Sequence, residues 1–143
     1  MNEIERQIKQ VFDSYKAAVF AKDVEAFVAL YDEHVHIFDM WGKWSYEGIK
    51  AWRGMVTEWF GSLGEEKVLV DFDDLQITVS HNIAIAHTFV TYKGQSADGN
   101  ELRSMNNRLT CALRNANGTW KIIHEHSSSP LDPETTKAIF QRK

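Results

Sequence analysis

Two histidines, His124 and His126, stand two positions apart in a stretch, Trp120 to Ser127, that reads as a β-strand. Residues two apart on a strand point the same way, so both rings would share a face with Trp120, Ile122 and Ser128. Such a pair can move protons near neutral pH or hold a metal ion. No Cys or carboxylate stands at a spacing that would complete a metal site. The expectation is therefore no metal, with one His lining a pocket and the other a structural group. Arg108 is the second candidate. It shares a strand face with Thr110 and Ala112, among the apolar residues Leu109 and Cys111. A guanidinium aimed into a hollow needs an anion. Asp39 or Glu58 could supply it internally, or a ligand carboxylate could be gripped in a bidentate fork. Trp41, Trp44, Tyr46 and Trp52 form a third group, suited either to the wall of an apolar pocket or to a core or interface. Cys111, in an apolar run, reads as a small buried hydrophobe. No GxGxxG, phosphate loop, nucleophile elbow or Cys/His nucleophile pair occurs.

These residues need a scaffold. Ile4, Ile8, Val11, Phe12, Tyr15, Ala18 and Val19 recur at three- and four-residue steps and predict an amphipathic first helix. Asp23 caps a short second helix carrying Val24, Phe27, Val28, Leu30 and Tyr31. A short strand over 34–39 places Val35 and Ile37 on one face. A Trp-rich loop follows, then a helix over 47–60 that Gly61 and Gly64 end. The rest predicts sheet: strands over 68–79 (broken near Asp73 and Asp74), 83–93, 102–114 and 120–127, joined by turns at His81–Asn82, Ala97–Asn100 and Asn115–Gly118. Asp132 and Pro133 predict the start of a terminal helix. Helices first and hairpin-linked strands afterwards make an α+β domain, with helices laid across a curved antiparallel sheet over a hollow.

The chain has 143 residues, which suits a single domain over 1–143 with an ordinary core. Its net charge of −4 and lack of a basic patch argue against nucleic acid as a partner. One Cys excludes an internal disulfide. The charged start, MNEIERQIKQ, lacks the apolar centre of a signal peptide, and no apolar run approaches the ~20 residues that span a bilayer. A cytoplasmic protein without a membrane partner is expected.

The string RLTCALRNANGTWKIIHEHSSSPLD (108–132), with LYDEHVHIFD (30–39) and IAIAHTFVTY (83–92), resembles the nuclear transport factor 2-like superfamily. The SnoaL-like proteins and the association domain of calcium/calmodulin-dependent protein kinase II are the members it is most similar to. The resemblance spans nearly the whole chain. It implies a cone-shaped fold whose strongly curved antiparallel sheet wraps around N-terminal helices and encloses a pocket. It also implies a homodimer, paired through the outer face of the sheet. By the same resemblance, Asp39 falls where the steroid isomerases of this fold carry a carboxylate base, and Tyr15 where they carry a hydrogen-bond donor. Their third partner, a neutral carboxylic acid, is replaced by Thr110, so the steroid reaction itself is not implied. The kinase association domains keep an Arg at the position of Arg108 and are associated with small carboxylates. They carry another Arg where this chain has Ser127.

Two functions follow. The first is a small-molecule binder or cofactor-free acid/base isomerase, cyclase or hydratase acting on a carbonyl or carboxylate compound. In it Asp39, Tyr15 and His126 are catalytic, and Arg108, Thr110, Trp41, Tyr46, Trp52 and His124 hold the ligand. The second is a non-catalytic assembly module, for which a cavity plugged by Trp side chains and an Arg108–Asp39 ion pair would speak.

Overall fold

The computed structural model describes residues 1–143. Helix α1 (Glu3–Ala21) starts at Asn2, whose side chain accepts the Glu5 amide at 2.8 Å. Its buried stripe is Ile8, Val11, Phe12, Tyr15, Ala18 and Val19, with the outlying Ile4 left exposed. The helix stops at Lys22 in the left-handed conformation (φ 55°), and the Lys22 amine then bonds the carbonyls of Gly64 and Glu66. Helix α2 (Val24–Val28) is capped by Asp23, which accepts the Ala26 amide at 3.0 Å. Such a cap satisfies one of the free N–H groups of a first turn.

Strand β1 (Tyr31–Phe38) follows, then a two-residue strand β2 (Tyr46–Glu47), helix α3 (Ile49–Ser62) and a four-strand meander. The meander comprises β3 (Lys67–Ser80), β4 (Ile83–Gln95), β5 (Glu101–Ala116) and β6 (Thr119–Ser128). All six strands form one sheet in the order β2-β1-β6-β5-β4-β3. The sheet is mixed rather than wholly antiparallel, because β1 runs parallel to β6. A parallel neighbour needs a long crossover, and α3 with the first three meander strands supplies it. The concave face packs on α1, α2 and α3 in one core, with Phe27, Ile37, Leu109, Leu113 and Ile122 almost wholly buried.

Several local expectations are met. The break in β3 is a register shift between Asp73 and Gln76, with Asp74 at φ 58°. Asn117 and Gly118 (φ 56° and 85°) turn the β5–β6 hairpin, where two consecutive positive φ values suit Asn-Gly. Others are corrected. The strand predicted from His34 begins at Tyr31, and Tyr46–Glu47 pairs with β1, so α3 starts only after Gly48. Gly61 lies inside α3. No helix follows Pro133. Asp132 accepts the amides of Glu134 and Thr135, but Thr136 at φ 59° ends the turn, and Leu131 bridges to Ala138 instead. The tail beyond runs back along β5. The Phe140 carbonyl accepts the Asn106 amide at 2.7 Å, and the Phe140 ring stacks on Trp41 at 5.5 Å. No helix is long and apolar enough to cross a membrane.

Candidate functional site

The inner face of β5 follows from its alternation: Asn107, Leu109, Cys111 and Leu113 are buried, whereas Arg108 and Thr110 are exposed. On β4 the inward residues are Ala84, Ala86, Thr88, Val90, Tyr92 and Gly94, paired across to β5 from Leu113 to Arg103. On β6 the inward set begins as Trp120 and Ile122. The register with β5 then shifts, Leu113 facing Ile122 but Ala112 facing His124, so Ile123 is an extra residue. Such a bulge reverses the alternation. Beyond it Glu125 and Ser127 point inward, and His124 and His126 point outward.

Between this face and the helices lies a cavity of about 500 Å³. Trp52, Met55 and Trp59 of α3 with Leu63 just after it form one wall, Tyr92, Met105, Asn107 and Leu109 the other, and Met40–Gly42 with Tyr46 the rim. Three charged groups reach it: Asp39, Arg103 and Glu125. Tyr15 from α1 also lines it, and its hydroxyl lies 2.9 Å from that of Tyr92. One hydroxyl donates to the other, which leaves a second phenolic proton unused by the pair.

Glu125 is 3% exposed and accepts a 2.6 Å hydrogen bond from the Tyr31 hydroxyl. Burial pushes its carboxyl up to about 7, against the Tyr31 hydrogen bond, and the negative charge of Asp39 adds to the rise. Asp39 sits at the end of β1. It accepts the Ser127 hydroxyl at 3.2 Å and the Trp41 amide at 3.4 Å, while Ser127 in turn accepts the Met40 amide. Burial raises the Asp39 carboxyl above its usual range, although these hydrogen bonds pull the other way. Burial also pushes up the phenols of Tyr15, Tyr31 and Tyr92, which therefore stay protonated donors. The site thus pairs two carboxyls of raised basicity with a hydroxyl pair, inside aromatic walls. Pairs of titrating groups of this kind are what acid/base chemistry requires.

Of the residues singled out from sequence, the cavity brings together Asp39, Tyr15, Trp41, Tyr46 and Trp52. The others lie elsewhere. Arg108 stands on the outer face and donates to Ser128 at 3.2 Å, with no ion pair to Asp39. Thr110 is exposed between His87 and His126. His126 packs its ring edge on Phe38, outside the cavity, and His124 Nδ1 meets the His36 carbonyl at 2.7 Å. Trp44 is 97% exposed and forms no wall. The physical reason is parity: the apolar stripe Leu109–Cys111–Leu113 must face the core, which turns Arg108 and Thr110 out, and the bulge at Ile123 turns out the histidines. Sequence reasoning missed Glu125, Ser127, Asn107, Tyr92 and Arg103. That stripe was the signal that would have found Asn107. Nothing in the sequence announces the bulge that aims Glu125.

The helical layer on a curved, open sheet around a cavity defines the nuclear transport factor 2-like, or cystatin-like, class. The chain belongs to the SnoaL-like domain family, whose model matches residues 8–132. A search of curated proteins found no match. Among solved structures, a nuclear transport factor 2-like protein of unknown function from Pseudomonas putida is 26% identical, with a TM-score of 0.86 over 98% of this chain and 96% of that one. A candidate scytalone dehydratase from Novosphingobium aromaticivorans is 14% identical, with a TM-score of 0.76 over 98% and 95%. A candidate calcium/calmodulin-dependent protein kinase II association domain from Xanthomonas campestris is 17% identical, with a TM-score of 0.70 over 91% and 89%. The last two likenesses concern the fold alone.

Proposed function

We propose that the cavity binds a small carbonyl-bearing organic molecule and moves a proton on it without a cofactor. The observation that carries this reading is Glu125, a carboxyl held near pH 7 on the same apolar cavity as a second carboxyl, Asp39. Asp39 takes a proton from the carbon next to the carbonyl. The Tyr15–Tyr92 pair donates its free hydroxyl proton as a hydrogen bond to the oxyanion that forms. Asp39 can return its proton to a different carbon, which is an isomerisation. Alternatively, protonated Glu125 can give its proton to a departing β-hydroxyl, which leaves as water. His126, on the outer face, takes no part in either step.

The absence of an Arg108–Asp39 pair and the unplugged cavity favour this reading over the assembly module. The test is deuterium uptake from D2O at the carbon next to the carbonyl of aryl methyl ketones and cycloalkenones, followed by proton NMR. The parent protein should exchange at least about a hundredfold faster than Asp39→Asn, the span of one acid/base group. Equal rates in parent and variant would overturn the catalytic reading.

We also propose that two chains pair across the outer sheet face, where Phe38, packed on His126, and Ile85, opposite Ala112, are 38% and 49% exposed. Light scattering at micromolar concentration should give twice the 16.5 kDa chain mass. The mass of one chain would count against it.

A further inference from the structure

Arg103 is the one cationic side chain on the cavity. It sits at the rim, near the start of β5, and pairs with Glu66 at 2.5 Å. Gly94 faces it on β4. A Cβ at Gly94 would lie 3.3 Å from the Arg103 guanidinium carbon and 3.5 Å from both Cγ and Nη1, so the Arg103 side chain packs against a position that a larger residue would fill. Gly94 is itself buried and lines the cavity. The glycine thus leaves room for an arginine laid along the rim. Glu66 takes Nη2 and, at 3.5 Å, Nη1. An arginine has five N–H donors, so several remain for a second anion.

We infer that Arg103 is the specificity residue for an anionic group on the substrate, a carboxylate or a phosphate, carried at the end remote from the reacting carbonyl. This inference rests on the reading of the cavity as a ligand site. The strand spacing gives the scale of the substrate. Tyr92, which holds the hydroxyl pair, faces Met105, two residues along β5 from Arg103, and Asn107 is four along. At about 3.3 Å per residue, the backbone of Arg103 lies roughly 7 Å from that of Met105 and roughly 13 Å from that of Asn107. One aromatic ring with a one-carbon arm spans the shorter distance. The substrate class is therefore an aryl ketone with an acidic arm, its ring between the α3 tryptophans and Met105.

The test uses 4-acetylphenylacetate, its neutral methyl ester and 4-acetylbenzyl phosphate, with binding measured by calorimetry on the full chain. The two anions should bind the parent about tenfold more tightly than the ester, the worth of one charge-assisted hydrogen-bonded pair. Arg103→Ala should abolish that preference by bringing the affinity for both anions down to that of the ester. Arg103→Lys should restore only part of it, because an ammonium lacks the fork. Glu66→Gln should strengthen anion binding by freeing the guanidinium. The advantage should shrink between low and high salt, as expected at an exposed rim. Whichever of carboxylate and phosphate gains more identifies the source of the anion. Equal affinity for acid and ester in the parent would overturn the role of Arg103 and leave the ligand site standing. Failure of all three probes to bind would overturn both.

Discussion

Glu125→Gln should make the domain more stable than the parent at pH 8 and remove a pH dependence that the parent shows. In the folded chain the Glu125 carboxyl is raised from an ordinary 4.5 to about 7. Across that window the folded state keeps a proton that the unfolded state has released. The unfolded state therefore binds fewer protons, and stability falls as pH rises. The contribution is intact below about pH 4.5 and is lost by pH 7 to 8. A shift of this size corresponds to roughly 3 kcal/mol. Gln imitates the protonated acid, and its carbonyl can still accept from the Tyr31 hydroxyl. Urea midpoints from pH 5 to 9 should fall for the parent and stay nearly level for the variant, apart from a slope at the acid end from Asp39, which is raised in the same sense. Parallel profiles would show that Glu125 does not hold its proton. The same substitution should slow any dehydration, because an amide gives up no proton. Stability and activity then move in opposite directions, as expected where a site keeps a costly group.

Phe27→Ala should be the most damaging single change in the core. Phe27 is fully buried at the end of α2, and its ring centroid lies 4.8 Å from Tyr15, 5.4 Å from Tyr31, 5.7 Å from Phe60 and 6.2 Å from Trp59. Removing the ring loses its burial and opens a hole among other rings that cannot collapse freely, at a cost of about 3–5 kcal/mol. For a domain of this size that is a drop of on the order of 10 °C or more in Tm. Phe27→Leu should lose well under half as much, because most of the volume stays. Thermal unfolding by circular dichroism separates the cases, and a loss below about 1 kcal/mol for the Ala variant would refute the packing argument. Three of the four neighbours, Tyr15, Tyr31 and Trp59, touch the cavity or the Glu125 carboxyl. Phe27 therefore positions the site without lining it, and a ligand should partly restore the lost stability.

The elements were legible where local chemistry decides them. The stripe of α1 from Ile8 to Val19, the Asp23 cap and the Asn117–Gly118 turn all follow from spacing or side-chain type. Asp39 and Tyr15 reached the cavity through family resemblance, and Trp41, Tyr46 and Trp52 through their ring chemistry. Arg108 shows the opposite case. Its place on a strand face among apolar residues was read as aiming it into the hollow, but Leu109, Cys111 and Leu113 claim the inner face, and burying three apolar side chains outweighs one guanidinium that water can solvate. Glu125 was hidden for a different reason. Its direction depends on one extra residue at Ile123, and a bulge is fixed by how β5 and β6 share hydrogen bonds, which a single strand's sequence does not state. The missing terminal helix is similar: an Asp-Pro start forms one turn, and the tail does better by bonding to Ser104 and Asn106.

The parallel pairing of β1 with β6 also governs the order in which the chain can complete its structure. The helices and β1 are synthesised first, yet β1 finds its long neighbour only when Thr119–Ser128 has been made. The meander from β3 to β5 can form from near neighbours, whereas the Tyr31–Glu125 hydrogen bond joins residues 94 apart and Ser127–Asp39 residues 88 apart. Long loops close late and slowly. Both carboxyls are thus seated by the final closure of the sheet, and a nascent chain halted in β5 has most of the scaffold but holds Asp39 without its Ser127 partner and lacks Glu125.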